Sequence, residues 1–226
     1  MKNTTLRLII SATTKMALGI AIIALLLFLP AGTWAYCGAW RFASLLFIPM
    51  LIMGVMMLIL SPELLSRRLH AKEERTTQQG VVRYTALIFI LGFVVAGLDF
   101  RHGWSELPSW AIYTASTLFI IGYALYGEVM RENIWLARTI TVESNQEVIT
   151  TGLYSLVRHP MYSATVIMFL SIPLILGSLW AVIPFVGYIP IIVIRILDEE
   201  RLLSKELRGY TDYCSTVRWR LVPLIW

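Results

Sequence analysis

Charge is what this sequence has least of. Asp, Glu, Lys and Arg make up 15% of its 226 residues, against about 25% in a soluble globular domain. Hydrophobic residues make up 58%, and the mean hydropathy is +0.71. That balance excludes a disordered chain, a basic nucleic-acid-binding domain and an ordinary soluble enzyme. It fits a chain whose solvent is mostly lipid. Cysteine is scarce too: Cys37 and Cys214 make no disulfide framework. Internal repeats and low-complexity segments are absent. In a chain of this kind the net charge of +5 reports mainly on loops and lipid headgroups.

What is present is a series of long uncharged stretches: 16–40, 42–62, 84–98, 107–127 and 159–194. A spanning helix needs roughly 20 mostly apolar residues. The first stretch holds 25 residues between Lys15 and Arg41, longer than the roughly 7–15 of a secretory signal, so it reads as a span. The third extends through Val81 and Val82, with Arg83 snorkelling. The last holds 36 residues, about 54 Å as straight helix, too long for one crossing. Gly177-Ser178 marks a turn at its midpoint, which splits it into a hairpin of 160–176 and 179–197. The expectation is an all-α integral membrane bundle of about six transmembrane helices, ending in that hairpin and a cytoplasmic amphipathic tail over 202–220. Pro49, Pro173, Pro184 and Pro190 read as kinks that a bundle tolerates. Residues 61–80 read as an interfacial helix with Leu64, Leu65 and Leu69 toward lipid.

Six crossings also sort the basic residues. Every Lys and Arg except Arg41 and Arg101 falls on the odd-numbered sides, including Lys72, Arg75 and Arg138. By the positive-inside rule both termini are then cytoplasmic. The two cysteines lie on opposite sides and cannot pair within one chain.

Functional residue types crowd the cytoplasmic side from Glu128 onward. The connection from Glu132-Asn133 to Gly152-Leu153-Tyr154 is long for a structureless loop, with a strand-like patch at Glu147-Val148-Ile149 and a turn at Thr150-Thr151-Gly152. Next comes Arg158-His159-Pro160. Pro160 suits the first position of a helix and pushes His159 to an extended conformation. The helix start with Arg158 beside it then reads as an anion site. The second hairpin helix ends in Arg195, Asp198, Glu199, Glu200 and Arg201, so both helix ends meet at one depth. Glu199 and Glu200 are adjacent and point about 100° apart, so they form no carboxylate dyad.

Taken in order, Glu-Asn, Val-Ile-Thr-Thr-Gly-Leu-Tyr, Val-Arg-His-Pro-Met-Tyr, Leu-Gly-Ser, Glu-Glu-x-Leu-Leu, Gly-Tyr-x-x-Tyr-Cys and Val-Arg-Trp-Arg-Leu-Val-Pro resemble the isoprenylcysteine carboxyl methyltransferase family, whose pattern phospholipid N-methyltransferases share. The resemblance covers roughly 128–226. Residues 61–68 also resemble the front half of its bacterial members. It implies a division into N-terminal spans, 1–127, with a cytoplasmic loop at 61–83, and a methyltransferase-like region, 128–226. It also implies an integral membrane enzyme that uses S-adenosylmethionine in a cytoplasm-facing pocket, without a metal. Gly152, Tyr154, Arg158, His159, Pro160 and Tyr162 match the first part of the family's cofactor motif, and Glu199 and Glu200 match the second. Arg195, Tyr210, Tyr213 and Arg218 match positions near the pocket. Arg208-Gly209 stands where the family often has Phe-Gly.

The residues suit that ligand. Arg158 and the helix start suit its carboxylate; Glu199 or Glu200 suits its ammonium or ribose hydroxyls. Tyr154, Tyr162, Tyr210 and Tyr213 suit the adenine or the sulfonium. The methyl acceptor is expected to be lipid-like, with membrane lipids as neighbours and no nucleic acid as partner. A carboxylate acceptor needs charge neutralisation, by Arg195 or Arg218. An amine acceptor needs a base, His159 or a glutamate. Three other readings compete: a phospholipid or small-hydrophobe N- or O-methyltransferase, a non-catalytic membrane binding or transport-accessory protein, and a membrane reductase using a nicotinamide cofactor.

Overall fold

The structure, a computed structural model, describes residues 2–69, 76–136, 142 and 145–226; Lys72, Arg75 and Arg138 lie outside them. Nine α-helices follow in order among the described residues: α1 (Lys2–Ala31), α2 (Cys37–Leu60), α3 (Pro62–Leu69), α4 (Thr76–His102), α5 (Ser109–Glu132), α6 (Pro160–Leu176), α7 (Val182–Val186), α8 (Tyr188–Glu206) and α9 (Tyr210–Thr216). One 3-10 turn, Gly152–Ser155, precedes α6. The described residues contain no strand, so the patch at Glu147-Val148-Ile149 carries no regular secondary structure.

Three helices are long and apolar enough to cross a membrane: Leu6–Ala31 of α1, α2 and α4. Their apolar side chains point outward: Leu29, Ile59 and Leu60 are 70%, 72% and 72% exposed, which only a lipid solvent makes favourable. α6 is apolar but has 17 residues, about 26 Å of helix. The second arm of the hairpin is broken rather than kinked. α7 stops at Val186, Gly187 donates to the Pro184 carbonyl at 3.0 Å, and Pro190 sits in the first turn of α8, where its missing N–H costs nothing.

α5 packs along α6, α1 along α4, and α8 against the first half of α4. Gly122 lets α5 approach α6 closely, since a side chain there would strike Met168 and the Ala164 carbonyl. The shared core holds Phe42, Phe93, Phe119 and Phe185 in edge-to-face and tilted contacts.

The hairpin tip is tied to the far end of the bundle. Ser105 and Ser178 donate to the buried Asp99 carboxylate, and the Tyr36 hydroxyl donates to the Leu176 carbonyl at 2.8 Å. Trp34, Trp40, Trp104, Trp110 and Trp180 are exposed around this end, the pattern of a membrane-interface belt. At the opposite end α3 is folded back onto protein. Leu64 and Leu65 are buried instead of facing lipid, because Lys15 reaches the Leu69 carbonyl and Arg67 and Arg68 lie over the Trp135 and Tyr126 rings.

Candidate active site

The site is built where α6 begins. Pro160 is its first residue and His159 its N-cap. The two N–H groups just before the proline are taken by the tail: Arg158 donates to the Trp219 carbonyl and His159 to the Arg220 carbonyl, both at 2.9 Å. The C-terminal segment thereby backs the Arg-His-Pro motif.

Behind that motif sits Glu200. One carboxylate oxygen meets Arg158 Nη1 at 2.9 Å and His159 Nε2 at 3.2 Å; the other meets Arg220 Nε at 2.8 Å. Burial alone pushes this carboxyl up. The hydrogen bonds from His159 and Arg220 and the charges of His159 and Arg158 outweigh it and hold the group below the ordinary carboxylate range. Arg220 also lies over the Trp226 ring, 5.2 Å from its centre.

One residue earlier on α8, Glu199 faces another way. It accepts from the Tyr162 hydroxyl at 2.5 Å, and the same hydroxyl accepts from Arg195 Nε at 2.9 Å. The expected divergence of the two glutamates is therefore present: Glu200 points at the motif and Glu199 at a hollow.

That hollow encloses about 100 Å3 and opens through a wide mouth. Arg195 and Glu199 lie on one wall, Arg158, His159 and Tyr162 at the base, and Tyr154, Tyr210 and Tyr213 around the tail side. The connection before α6 supplies Asn133, Trp135 and residues 146–149. Burial pushes the Tyr154, Tyr210 and Tyr213 hydroxyls up, so all three are neutral. Tyr154 accepts from Asn133 at 2.8 Å, and Tyr213 donates to the Tyr154 carbonyl at 2.6 Å. Among the described residues the Tyr210 hydroxyl and Arg158 Nε are buried without a hydrogen-bond partner, an arrangement that costs free energy unless a further group answers it.

Gly152 acts at the hinge of this connection. Its φ of +50° suits glycine, and a Cβ would run into the Glu132 carboxylate. That carboxylate accepts from the Leu153 N–H at 3.1 Å. The end of α5 is thereby stapled to the 3-10 turn.

Most of the expected site residues come together here, with three changes of role. Gly152 shapes the wall and does not line the hollow. Arg158 is no open anion site, since its Nη1 pairs with Glu200 and its Nη2 donates to the Arg218 carbonyl at 3.0 Å. Arg218 is exposed and outside the hollow; its neighbour but one, Arg220, holds Glu200 instead. Arg220 and Trp135 stand at the site beyond the residues expected there. Asn133, of the Glu-Asn pair, joins the site through its bond to the Tyr154 hydroxyl.

Residues 110–208 match the phospholipid methyltransferase family, a little under half of the chain. That stretch contains α5, α6, α8 and most of the hollow's lining. The chain is also similar to the Delta(14)-sterol reductase TM7SF2 of Mus musculus, 30% identical over 91 residues, which is 39% of this chain and 22% of that protein. The chain thus spans about a fifth of the length of that curated relative. Together with the outward-facing apolar helices, the family match points to an integral membrane protein and to a methyltransferase.

Proposed function

We propose that the chain is an S-adenosylmethionine-dependent membrane methyltransferase of the isoprenylcysteine carboxyl methyltransferase type, a bacterial-type member, acting on the carboxylate of a lipid-like or prenylcysteine-type acceptor. The observation that carries this is the hollow at the meeting of α6, α8 and the tail, with Arg195 and Glu199 facing into it inside the stretch that matches the methyltransferase family.

The residues present fit that cofactor. Glu199 is a carboxylate acceptor for an ammonium or ribose hydroxyls. The Tyr210 hydroxyl and Arg158 Nε are buried groups in want of a partner. The tyrosine rings suit an adenine or a sulfonium. When bound, S-adenosylmethionine supplies an electrophilic methyl group for in-line displacement by the acceptor oxygen. The protein's own part is orientation and exclusion of water. Arg195 neutralises the acceptor carboxylate. Arg158 and Glu200 hold the base of the site rigid. His159 is buried against Glu200 and Tyr162, which favours a carboxylate acceptor over an amine that would need it as a base.

The membrane arrangement belongs to the same proposal. Residues 1–127 supply spans, and 128–226 supply the methyltransferase region. Six crossings, of which the last two are 160–176 and 179–197, put both termini and the hollow on the cytoplasmic side. The bias of Lys and Arg toward the odd-numbered sides supports this.

Methyl-labelled S-adenosylmethionine offered with a farnesylated cysteine derivative or with phosphatidylethanolamine tests the reading. The expected product is a methyl ester, releasing labelled methanol in alkali. Alkali-stable label in the amine lipid would place the chain with the N-methyltransferases. The sterol reductase relative favours a second reading, a reductase with a nicotinamide cofactor in the same hollow. It predicts oxidation of NADPH by an unsaturated sterol and no methyl transfer.

A further inference from the structure

Arg195 and Glu199 lie four residues apart on α8, the spacing at which opposite charges on one helix face meet. They meet here through a third group that comes from another helix. The Tyr162 hydroxyl, reaching across from α6, accepts from Arg195 Nε at 2.9 Å and donates to Glu199 at 2.5 Å. One proton and one lone pair are thus committed in a fixed direction, Arg195 to Tyr162 to Glu199, and such chains strengthen each other where water is excluded.

The tyrosine itself is locked. It is 5% exposed. The His159 ring stacks on it at 5.7 Å, and the Arg195 guanidinium lies 5.7 Å from its ring centre. A buried ring with these two contacts fixes its hydroxyl, and the hydroxyl fixes the two charged heads on the wall of the hollow.

The geometry points to Tyr162 as a positioning residue, whose hydroxyl sets the places of Arg195 and Glu199 rather than touching a ligand. This rests on the methyltransferase reading for what the two heads grip, but the bridge is independent of it. Without the hydroxyl, Arg195 and Glu199 are free to close on each other across one helix turn, and both are withdrawn from the hollow together.

Tyr162→Phe deletes the hydroxyl and keeps the ring. Tyr188→Phe is the control. Tyr188 lies on the same α6 to α8 interface, bonds Thr165 at 3.3 Å, and is absent from the hollow's lining. Two measurements are made on the full chain in detergent. The first is a double-mutant cycle in melting temperature with Tyr162→Phe and Glu199→Ala. The bridge predicts that the double variant melts close to the more damaged single; additive shifts overturn it. The second is affinity for S-adenosylhomocysteine and KM for the acceptor. Tyr162→Phe is expected to weaken both about tenfold, the size of one hydrogen bond to a charged group, while Tyr188→Phe moves neither. A purely structural role lowers the active fraction and leaves KM alone, which overturns positioning. Coupled melting in a protein that binds no S-adenosylhomocysteine keeps the bridge and counts against the methyltransferase reading.

Discussion

At the scale of single residues, the base of the hollow is an electrostatic cluster with Glu200 as its hub. Removing the hub leaves Arg158 and Arg220 facing each other's charge, and breaking such a buried pair costs roughly 3–5 kcal/mol. Glu200→Ala is therefore expected to lower stability by about 3 kcal/mol, read as a drop in melting temperature in detergent. The folded-state carboxyl lies below its ordinary value near 4.5. The cluster thus contributes its stability above that pH and loses it as pH falls further. Melting temperature should decline from about pH 4.5 downward, and Glu200→Gln should flatten that decline. Tyr210 makes an opposite case. Its buried hydroxyl lacks a partner among the described residues, so Tyr210→Phe removes an uncompensated polar group. The variant should be at least as stable as the parent, yet bind S-adenosylhomocysteine about tenfold more weakly; equal affinity would remove Tyr210 from the ligand's partners. Much at this scale was legible in order and spacing alone. The 100° between adjacent helical residues already sent Glu199 and Glu200 to different partners. Which tail arginine meets Glu200 was not legible. The chain bends at Arg220, and only the pairing of Trp219 and Arg220 with the Arg-His-Pro backbone decides that Arg220 turns toward Glu200 while Arg218 stays exposed.

At the scale of elements, α6 shows how far local signals reach. Pro160 opens it and Gly177, at φ +80°, closes it as a left-handed cap, so its bounds follow from two residues whose backbone chemistry is restrictive. The partner arm was harder. Gly187 and two prolines interrupt an apolar run, and whether they kink or break the helix depends on packing against α4. The stretch at 147–149 illustrates the same limit. Its β-branched character is real, but a strand needs a neighbour, and these residues face the hollow instead. α3 differs for a related reason: its leucines are buried because α3 packs against α1 and α2, which no amphipathic pattern reveals. The staple between α5 and the 3-10 turn gives a test at this scale. Gly152→Ala forces a left-handed alanine, about 1–2 kcal/mol, against the Glu132 carboxylate. It should lower the melting temperature and hasten proteolytic cleavage after residue 132; unchanged cleavage would show that the staple does not hold the connection.

At the scale of the whole molecule, the account joins a membrane orientation to a chemical one. The tryptophan belt lies at one end of the apolar surface and the hollow at the other, and the proposed orientation puts the hollow at the cytoplasmic face. The two free cysteines report on this directly. Cys37 starts α2 at the tryptophan end and Cys214 lies in α9 at the other. In sealed vesicles of known orientation, a membrane-impermeant maleimide should label Cys37 from the outside and Cys214 only after permeabilisation. Labelling of both from one side would contradict an odd number of crossings between them. The bilayer class was legible from composition, since too few charges remain to cover a soluble surface. The number of crossings was less so, because a 17-residue helix is short of a full span and its placement depends on its neighbours.

The central claim is that the hollow between α6, α8 and the tail holds S-adenosylmethionine. Equilibrium binding of S-adenosylhomocysteine to the full chain in detergent, compared with Glu199→Ala, measures it most directly. The account predicts saturable binding that weakens at least about tenfold in the variant. Absence of binding to the parent, with NADPH bound in its place, would contradict it.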